Sequence, residues 1–436
     1  MAHSRARGLL AASRTLLGSR HVARALAWAC ACAGALGLAG AAGGQAQTQA
    51  DTADAAASAR VEGEYGLRVD NPGDSIIVYW LTPGPRADTL VVRRGALRQR
   101  YATPAAVTHR VAFLAPDPAP LSLQYAGTST TIWPGQPPRP PLRVQGVDSI
   151  FVVGDVHGEL GNLLGVLRNA GVVDGRLRWV AGRAHLVFLG DFFDRGDDVT
   201  RVLWLLYDLE HQAAAAGGRV DMVLGNHEVM VFQSDVRYTS PRELSLAARY
   251  TVGYARLFDI RRSVLGRWLA SKPPALMVDG VLFAHGGIST DYLGWSLEAL
   301  RDTLGALLRS DLFYATGDPL ANLPADTARA RRIDEFVNGD RSIFWYRGYV
   351  ESDTLADALS LVLRHFGARA LVVGHTPVKT IHLRYGGWLA ATNTAPNAAE
   401  LLLITRRGAT LQGWRYRAAG PPEPLGPIGA GLGASR

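Results

Sequence analysis

Five apolar runs in this chain each stop at a short, glycine-flanked cluster of Asp, His or Asn. Ile150-Phe151-Val152-Val153 leads into Gly154-Asp155-Val156-His157-Gly158, and Leu186-Val187-Phe188-Leu189 into Gly190-Asp191-Phe192-Phe193-Asp194-Arg195-Gly196. Met222-Val223-Leu224 leads into Gly225-Asn226-His227-Glu228, Val281-Leu282-Phe283-Ala284 into His285-Gly286-Gly287, and Leu371-Val372-Val373 into Gly374-His375-Thr376. Short runs this rich in Val, Ile, Leu and Phe read as buried strands. Between them apolar residues recur at helical spacing: Leu160, Leu163, Leu164 and Leu167, then Val202, Leu203, Leu206 and Leu209, with Asp198 placed to cap the second helix. Strands alternating with helices define an α/β domain, where ligands gather outside the carboxyl ends of the strands. Five strands each delivering a polar donor there would build one shared site.

The donor types select the ligand. Carboxylate, amide oxygen and imidazole suit divalent ions such as Mn, Fe or Zn. The only cysteines, Cys30 and Cys32, lie in the N-terminal apolar stretch, so the clusters carry no thiolate. Two such ions, about 3.5–4 Å apart, activate water and clamp the oxygens of an in-line displacement, with one carboxylate bridging them. Each fragment alone has a blander reading. Asp191 or Asp194 could be a cap or turn residue, His285 or His375 a core histidine, Arg195 a surface ion pair. Five such clusters, each at the end of an apolar run, outweigh those readings together. The glycines beside them fit a crowded backbone or turns with φ > 0.

These motifs resemble the calcineurin-like metallophosphoesterases. The Asp-Arg-Gly and Asn-His-Glu forms look most like the phosphoprotein phosphatase branch, and within it the Shewanella-like protein phosphatases of bacteria. The resemblance covers about residues 147–415. It implies a β-sandwich core flanked by helices in four αββα layers. It also implies roles: Asp155 and His157 on a first metal, Asp191 bridging, and Asn226, His285 and His375 on a second. His227 is then the general acid, oriented by Asp194, while Arg195 grips phosphate oxygens and Arg347 is the expected second phosphate-binding arginine. The implied reaction is hydrolysis of a phosphomonoester, on a phosphoprotein or a small phosphate ester, by direct attack of a metal-bridging hydroxide. A small-molecule phosphatase or nucleotide pyrophosphohydrolase is an alternative within enzymes. A secreted binding protein with a decayed site is another, although the donor set is intact. Two departures stand out. Phe193 sits where many relatives carry valine, and Thr394-Ala395-Pro396-Asn397-Ala398 lacks the aromatic residue of the late loop in eukaryotic phosphatases.

The rest of the chain supplies context. Residues 1–46 read as a signal peptide: five arginines (Arg5, Arg7, Arg14, Arg20, Arg24), no acidic residue, an apolar stretch from 25 to 38, then small residues to Ala46. That points to a secreted or periplasmic enzyme with no membrane insertion after cleavage. Those arginines account for five of the formal +8, and the remaining +3 is too weak to argue for nucleic acid. Residues 47–60 read as a flexible leader and 61–133 as a small all-β, fibronectin-like domain. Its short runs are Ser75 to Trp80, Thr89 to Val92 and Arg110 to Phe113, with Pro83-Gly84-Pro85 as a turn. The proline-rich 134–146 reads as a stiff linker, 291–341 as a partly helical insertion, and 416–436 as a disordered tail.

Overall fold

The computed structural model describes residues 66–316 and 327–431. The expected signal peptide and leader lie outside the described residues. Seventeen strands form three sheets among them. The N-terminal sheet contains β1 (Leu67–Asp70), β2 (Ser75–Arg94), β3 (Leu97–Leu114), β4 (Leu121–Tyr125) and β5 (Thr128–Ile132), all antiparallel. A second sheet joins β6 (Arg143–Val144), β10 (Ala275–Val278), β11 (Val281–Ala284), β12 (Ala370–Val373), β13 (His382–Arg384) and β14 (Leu389–Ala391), in the order β13-β14-β12-β11-β10-β6. The third joins β7 (Ser149–Val153), β8 (His185–Phe188), β9 (Arg219–Met222), β15 (Leu401–Arg407), β16 (Thr410–Tyr416) and β17 (Glu423–Ile428), in the order β17-β16-β15-β7-β8-β9.

The second and third sheets pack face to face, and strand periodicity explains how. Successive side chains on a strand point to opposite faces. Ile150, Val152 and Val187 of the third sheet meet Leu276, Val278, Phe283 and Val372 of the second in one buried cluster. Their neighbours Phe151, Val153, Leu186, Phe188, Met277 and Leu371 belong to a separate core shared with the helices. The runs are apolar throughout because both faces of each strand are covered. Helices α1 (Leu160–Asn169) and α2 (Val199–Ala215) follow β7 and β8, and α2 packs on β9. Next come α3 (Asn226–Phe232), α4 (Pro241–Arg249) and α5 (Val264–Ala270); α6 (Leu297–Leu307) covers β10 on the other side. This is the four-layer αββα arrangement. In α1 the residues Leu160, Leu163, Leu164 and Leu167 are all buried, as their spacing predicts. Asp198 does stand at the N-cap of α2, but its carboxylate binds Arg201 at 2.6 Å instead of a helix N–H.

Several local expectations change. Pro83-Gly84-Pro85 is not a turn between strands; it lies inside the single long strand β2. Pairing with β3 shifts register between Leu81 and Arg86, and again before Asp88, so the prolines fall where the ladder is already broken. Across the break the Trp80 indole N–H donates to Asp88 Oδ2 at 2.8 Å, and its ring centroid lies 6.3 Å from that of Tyr125 on β4. Within the segment read as a linker, Arg143 and Val144 pair in parallel with Met277 and Val278 and form the edge of the second sheet. Within the segment read as a disordered tail, Glu423–Ile428 forms β17 against β16. Glycine and proline content there favours disorder locally, but pairing with an existing strand supplies the backbone hydrogen bonds that composition cannot reveal. The polar stretch after 291 holds α6, α7 (Asp311–Thr316) and α8 (Thr327–Asn338).

Candidate active site

Strand register brings the five motifs together. β7, β8 and β9 run parallel with Val153 beside Phe188 and Phe188 beside Met222, so their carboxyl ends are level. β11 and β12 run parallel with Ala284 beside Val373, which places His285 next to Gly374 and His375. Hydrogen bonds tie the loops across the two sheets. The Val156 and His157 amides donate to the Asp191 carbonyl at 3.1 and 2.8 Å, and the His375 amide donates to Asp155 Oδ1 at 2.9 Å. The His227 amide, at the start of α3, donates to Asp191 Oδ1 at 3.0 Å.

Asp155, His157, Asp191, Asp194, Asn226, His227, His285 and His375 are all buried and all converge. Asp191 stands at the centre with its oxygens divided. Its Oδ2 lies 3.7 Å from His157 Nε2, which is itself 3.9 Å from Asp155 Oδ2. Its Oδ1 lies 3.3 Å from His285 Nε2, which faces Asn226 Oδ1 at 2.8 Å and His375 Nδ1 at 3.2 Å. Two trios, His157–Asp191–His227 and Asp191–His285–His375, each have ligand atoms within 4.8 Å of one another.

Backbone contacts set the imidazole tautomers. His157 Nδ1 faces the Phe193 carbonyl at 2.8 Å and His285 Nδ1 faces the Leu189 carbonyl at 2.6 Å. A carbonyl only accepts, so each Nδ1 carries the proton and each Nε2 presents its lone pair to the cluster, the arrangement usual for metal-binding histidine. On the His285 side, lone pairs of Asp191, Asn226, His285 and His375 then point at one another, which only a cation or a proton can reconcile. The electrostatics agree. Burial disfavours a charged His285, yet Asp191 and Asp155 outweigh it and push its pKa up to about 9. Burial and His285 together pull His375 well below the ordinary histidine range, and burial takes His157 down to about 3. Burial and the nearby Asp191 raise Asp155 to about 6. The donor set therefore fits divalent metal: Asp155, His157 and Asp191 on one side, Asp191, Asn226, His285 and His375 on the other.

His227 is placed differently. Its Nδ1 donates to Asp194 Oδ2 at 2.6 Å, and Thr239 Oγ1 donates to the other Asp194 oxygen at 3.0 Å. Its Nε2 points toward Asp191 Oδ2 at 3.8 Å. Burial disfavours the imidazolium, but Asp191 and Asp194 outweigh it, so its pKa stands above the ordinary histidine value. Arg195 is exposed at the rim. Arg347, half-buried, donates to the His375 carbonyl at 3.2 Å. Burial lowers its pKa, while Asp155 and Asp191 act on it in the opposite sense. Both arginines thus lie within electrostatic reach of the carboxylates.

The loops are strained where the donors sit. His157, Asp191, Asp194, Arg195 and His375 all have positive φ, between 46° and 71°. Such left-handed non-glycine residues cost about 1–3 kcal/mol each and gather at functional sites. The flanking glycines matter for space: a Cβ on Gly225 would land on Asp191 Oδ1 and His285 Nδ1, and one on Gly374 would lie 2.5 Å from Asp155 Oδ1.

Three contributors had no assigned role in the sequence. Glu228, fully buried, accepts from the amides of Gly225 at 2.7 Å, Asp191 at 2.8 Å and Phe192 at 2.7 Å, and so locks two donor loops together. Its place in the Asn-His-Glu motif was the available signal. Thr239, which braces Asp194, and Tyr238, whose ring lies 5.9 Å from that of His227, carried none.

Comparisons with known proteins agree with this geometry. The chain is 32% identical over 240 residues to an uncharacterized protein of Schizosaccharomyces pombe, spanning 52% of this chain and 67% of that one. It is 23% identical over 282 residues to the Shewanella-like protein phosphatase 2 of Arabidopsis thaliana, spanning 54% of this chain and 67% of that one. The solved structure of a cold-active protein tyrosine phosphatase matches with a TM-score of 0.61 and 26% identity, covering 83% of this chain and 96% of that one. The pattern of the calcineurin-like phosphoesterases matches residues 149–379, more than half of the sequence and a span that contains all five donor clusters. The chain therefore belongs to the calcineurin-like phosphoesterase family and is a hydrolase of the phosphoesterase type.

Proposed function

We propose that this enzyme is a dinuclear, metal-dependent phosphomonoesterase acting on a phosphoprotein. The observation that carries the reading is the division of Asp191, whose two oxygens face two separate groups of donors. Two divalent ions held there would acidify a water molecule and neutralise phosphoryl oxygens, so that water attacks phosphorus directly without a covalent enzyme intermediate. Asp155 and His157 hold one side, and Asn226, His285 and His375 the other. Arg195 and Arg347 bind the equatorial oxygens of the phosphoryl group, where fixed cations stabilise developing charge. Asp194 keeps His227 Nδ1 protonated and fixes the ring, leaving Nε2–H free to protonate the leaving oxygen. A phosphoprotein substrate is supported by the likeness to the Shewanella-like protein phosphatase of Arabidopsis and to the cold-active protein tyrosine phosphatase. Tyr238, 46% exposed beside His227, offers an aromatic face to a bulky leaving group. Residues 1–46 would export the chain, leaving a mature enzyme that starts after Ala46.

The test strips the protein of metal and restores Mn, Fe, Zn and Mg singly. Turnover is then measured on peptides carrying phosphotyrosine, phosphoserine or phosphothreonine, beside a nucleoside polyphosphate and a small monoester. Activity that returns at about two ions per chain, highest on a phosphopeptide, supports the reading. Full activity at one ion, or preference for the polyphosphate, refutes its dinuclear or its protein-substrate half respectively. Inversion at a chiral phosphorus is expected, and retention would rule out direct attack.

A further inference from the structure

A cavity of about 410 Å³ lies between the proline-rich segment 134–141 and helices α2 and α5. None of the metal-type donors lines it. Its size is within the usual range for small-molecule sites, about 300–1,000 Å³. Flat aromatic rings form part of its wall: Trp133 stacks on His211 with ring centroids 3.2 Å apart, and Tyr207 meets Trp268 edge-on at 5.5 Å.

Arg267 on α5 also lines the cavity and is only 8% exposed. Its Nε makes no hydrogen bond, and its guanidinium has no ion pair among the described residues. The charges near it are already engaged. Asp70 is held by Arg68 through two hydrogen bonds, of 3.2 and 2.7 Å. Glu210, also on the wall, takes Trp268 Nε1 at 2.7 Å and Lys272 Nζ at 2.6 Å on one oxygen. Burial, with nothing adequate against it, pulls Arg267 below the usual arginine pKa. A buried, unpaired guanidinium is costly, and a planar carboxylate answers it with two parallel hydrogen bonds. A doubly charged phosphate would need a second cation. The two other arginines that line the cavity, Arg219 and Arg139, are paired with Asp221 at 2.5 Å and Asp302 at 3.6 Å, and Lys272 is held by Glu210.

We propose that this cavity binds a small aromatic carboxylate, with the ring against Trp133, Tyr207 and Trp268 and the carboxylate on Arg267. Isothermal titration of the full chain with phenylacetate and with phenylacetamide tests the idea, because the pair differ only in charge and hydrogen-bonding end. The carboxylate is expected to bind at least about tenfold more tightly than the amide. Arg267→Met should abolish that difference while leaving phosphatase turnover intact. Ala214→Phe, at an exposed position on the same wall, should block binding by filling space, and it covers the case in which Arg267→Met fails to fold. Equal binding of both probes overturns the proposal. So does no heat from phenylacetate up to about 10 mM, or undiminished binding in either folded variant.

Discussion

Asp194 Oδ2 accepts a hydrogen bond from His227 Nδ1 at 2.6 Å while its Oδ1 accepts one from Thr239 at 3.0 Å. A carboxylate held at both oxygens cannot swing, so it orients the imidazole as well as charging it. His227→Ala should lower turnover by roughly 10²–10⁴ and leave metal content unchanged. The loss should be smaller for a nitrophenyl leaving group, which departs without help, than for an alkyl one. Steady-state rates on the two substrates, beside metal analysis, measure this. Equal losses on both would remove His227 from proton donation.

Glu228 is the sole acceptor for three amides that belong to two different loops. Burial raises its pKa to about 7, with Asp191 adding to the effect while the amides oppose it. A glutamine there has one acceptor oxygen, and its NH₂ group would face an amide donor. Glu228→Gln should therefore cost about 1–3 kcal/mol in urea unfolding. It should also slow turnover, because Asp191 loses its anchor. A variant with unchanged stability would show that the amides find other partners.

Gly225 tests the crowding argument. A single added methyl group meets Asp191 Oδ1 and His285 Nδ1 at once. Gly225→Ala should be destabilised by about 1–3 kcal/mol, the usual cost of overpacking, and should bind less metal. Thermal unfolding and metal analysis report the two effects separately. Normal metal content would mean that the loop yields.

Glu243, whose carboxylate bonds Thr200 and none of the donors, gives a pH signature. It accepts from the Thr200 amide at 3.1 Å and hydroxyl at 2.7 Å, and burial holds its pKa at about 7 against an ordinary 4.5. Between those values the folded chain keeps a proton that the unfolded chain has released. Its stabilising contribution is complete below about pH 4.5 and is lost as pH rises through 7. Replacement by glutamine should flatten that slope by about 2–4 kcal/mol between pH 4.5 and 7.5. Parallel unfolding titrations of both proteins across that range decide it.

The metal-type donors were legible because each follows directly on a buried strand, and a run such as Leu186 to Leu189 announces its own end. Helix α1 was legible for a similar local reason, in the spacing of Leu160, Leu163, Leu164 and Leu167. What stayed hidden depends on partners far away in sequence. Pro83-Gly84-Pro85 reads as a turn until β3 is seen to continue past it with a shifted register. Pro424 and Pro427 argue against a strand until β16 supplies the pairing. Thr239 shows no pattern of its own, since its one task is to hold Asp194. Glu228 lay in plain view inside a motif, but two of its three amides, those of Asp191 and Phe192, come from a loop that only the parallel register of β8 and β9 brings near.

The left-handed backbone at His157, Asp191, Asp194, Arg195 and His375 has an evolutionary edge. Glycine at any of them would relax the loop, so the empty polypeptide gains heat tolerance by discarding the groups its chemistry needs. A laboratory selection for thermal survival alone should drift toward inert variants at these very codons, and only a screen that also demands hydrolysis would hold them in place.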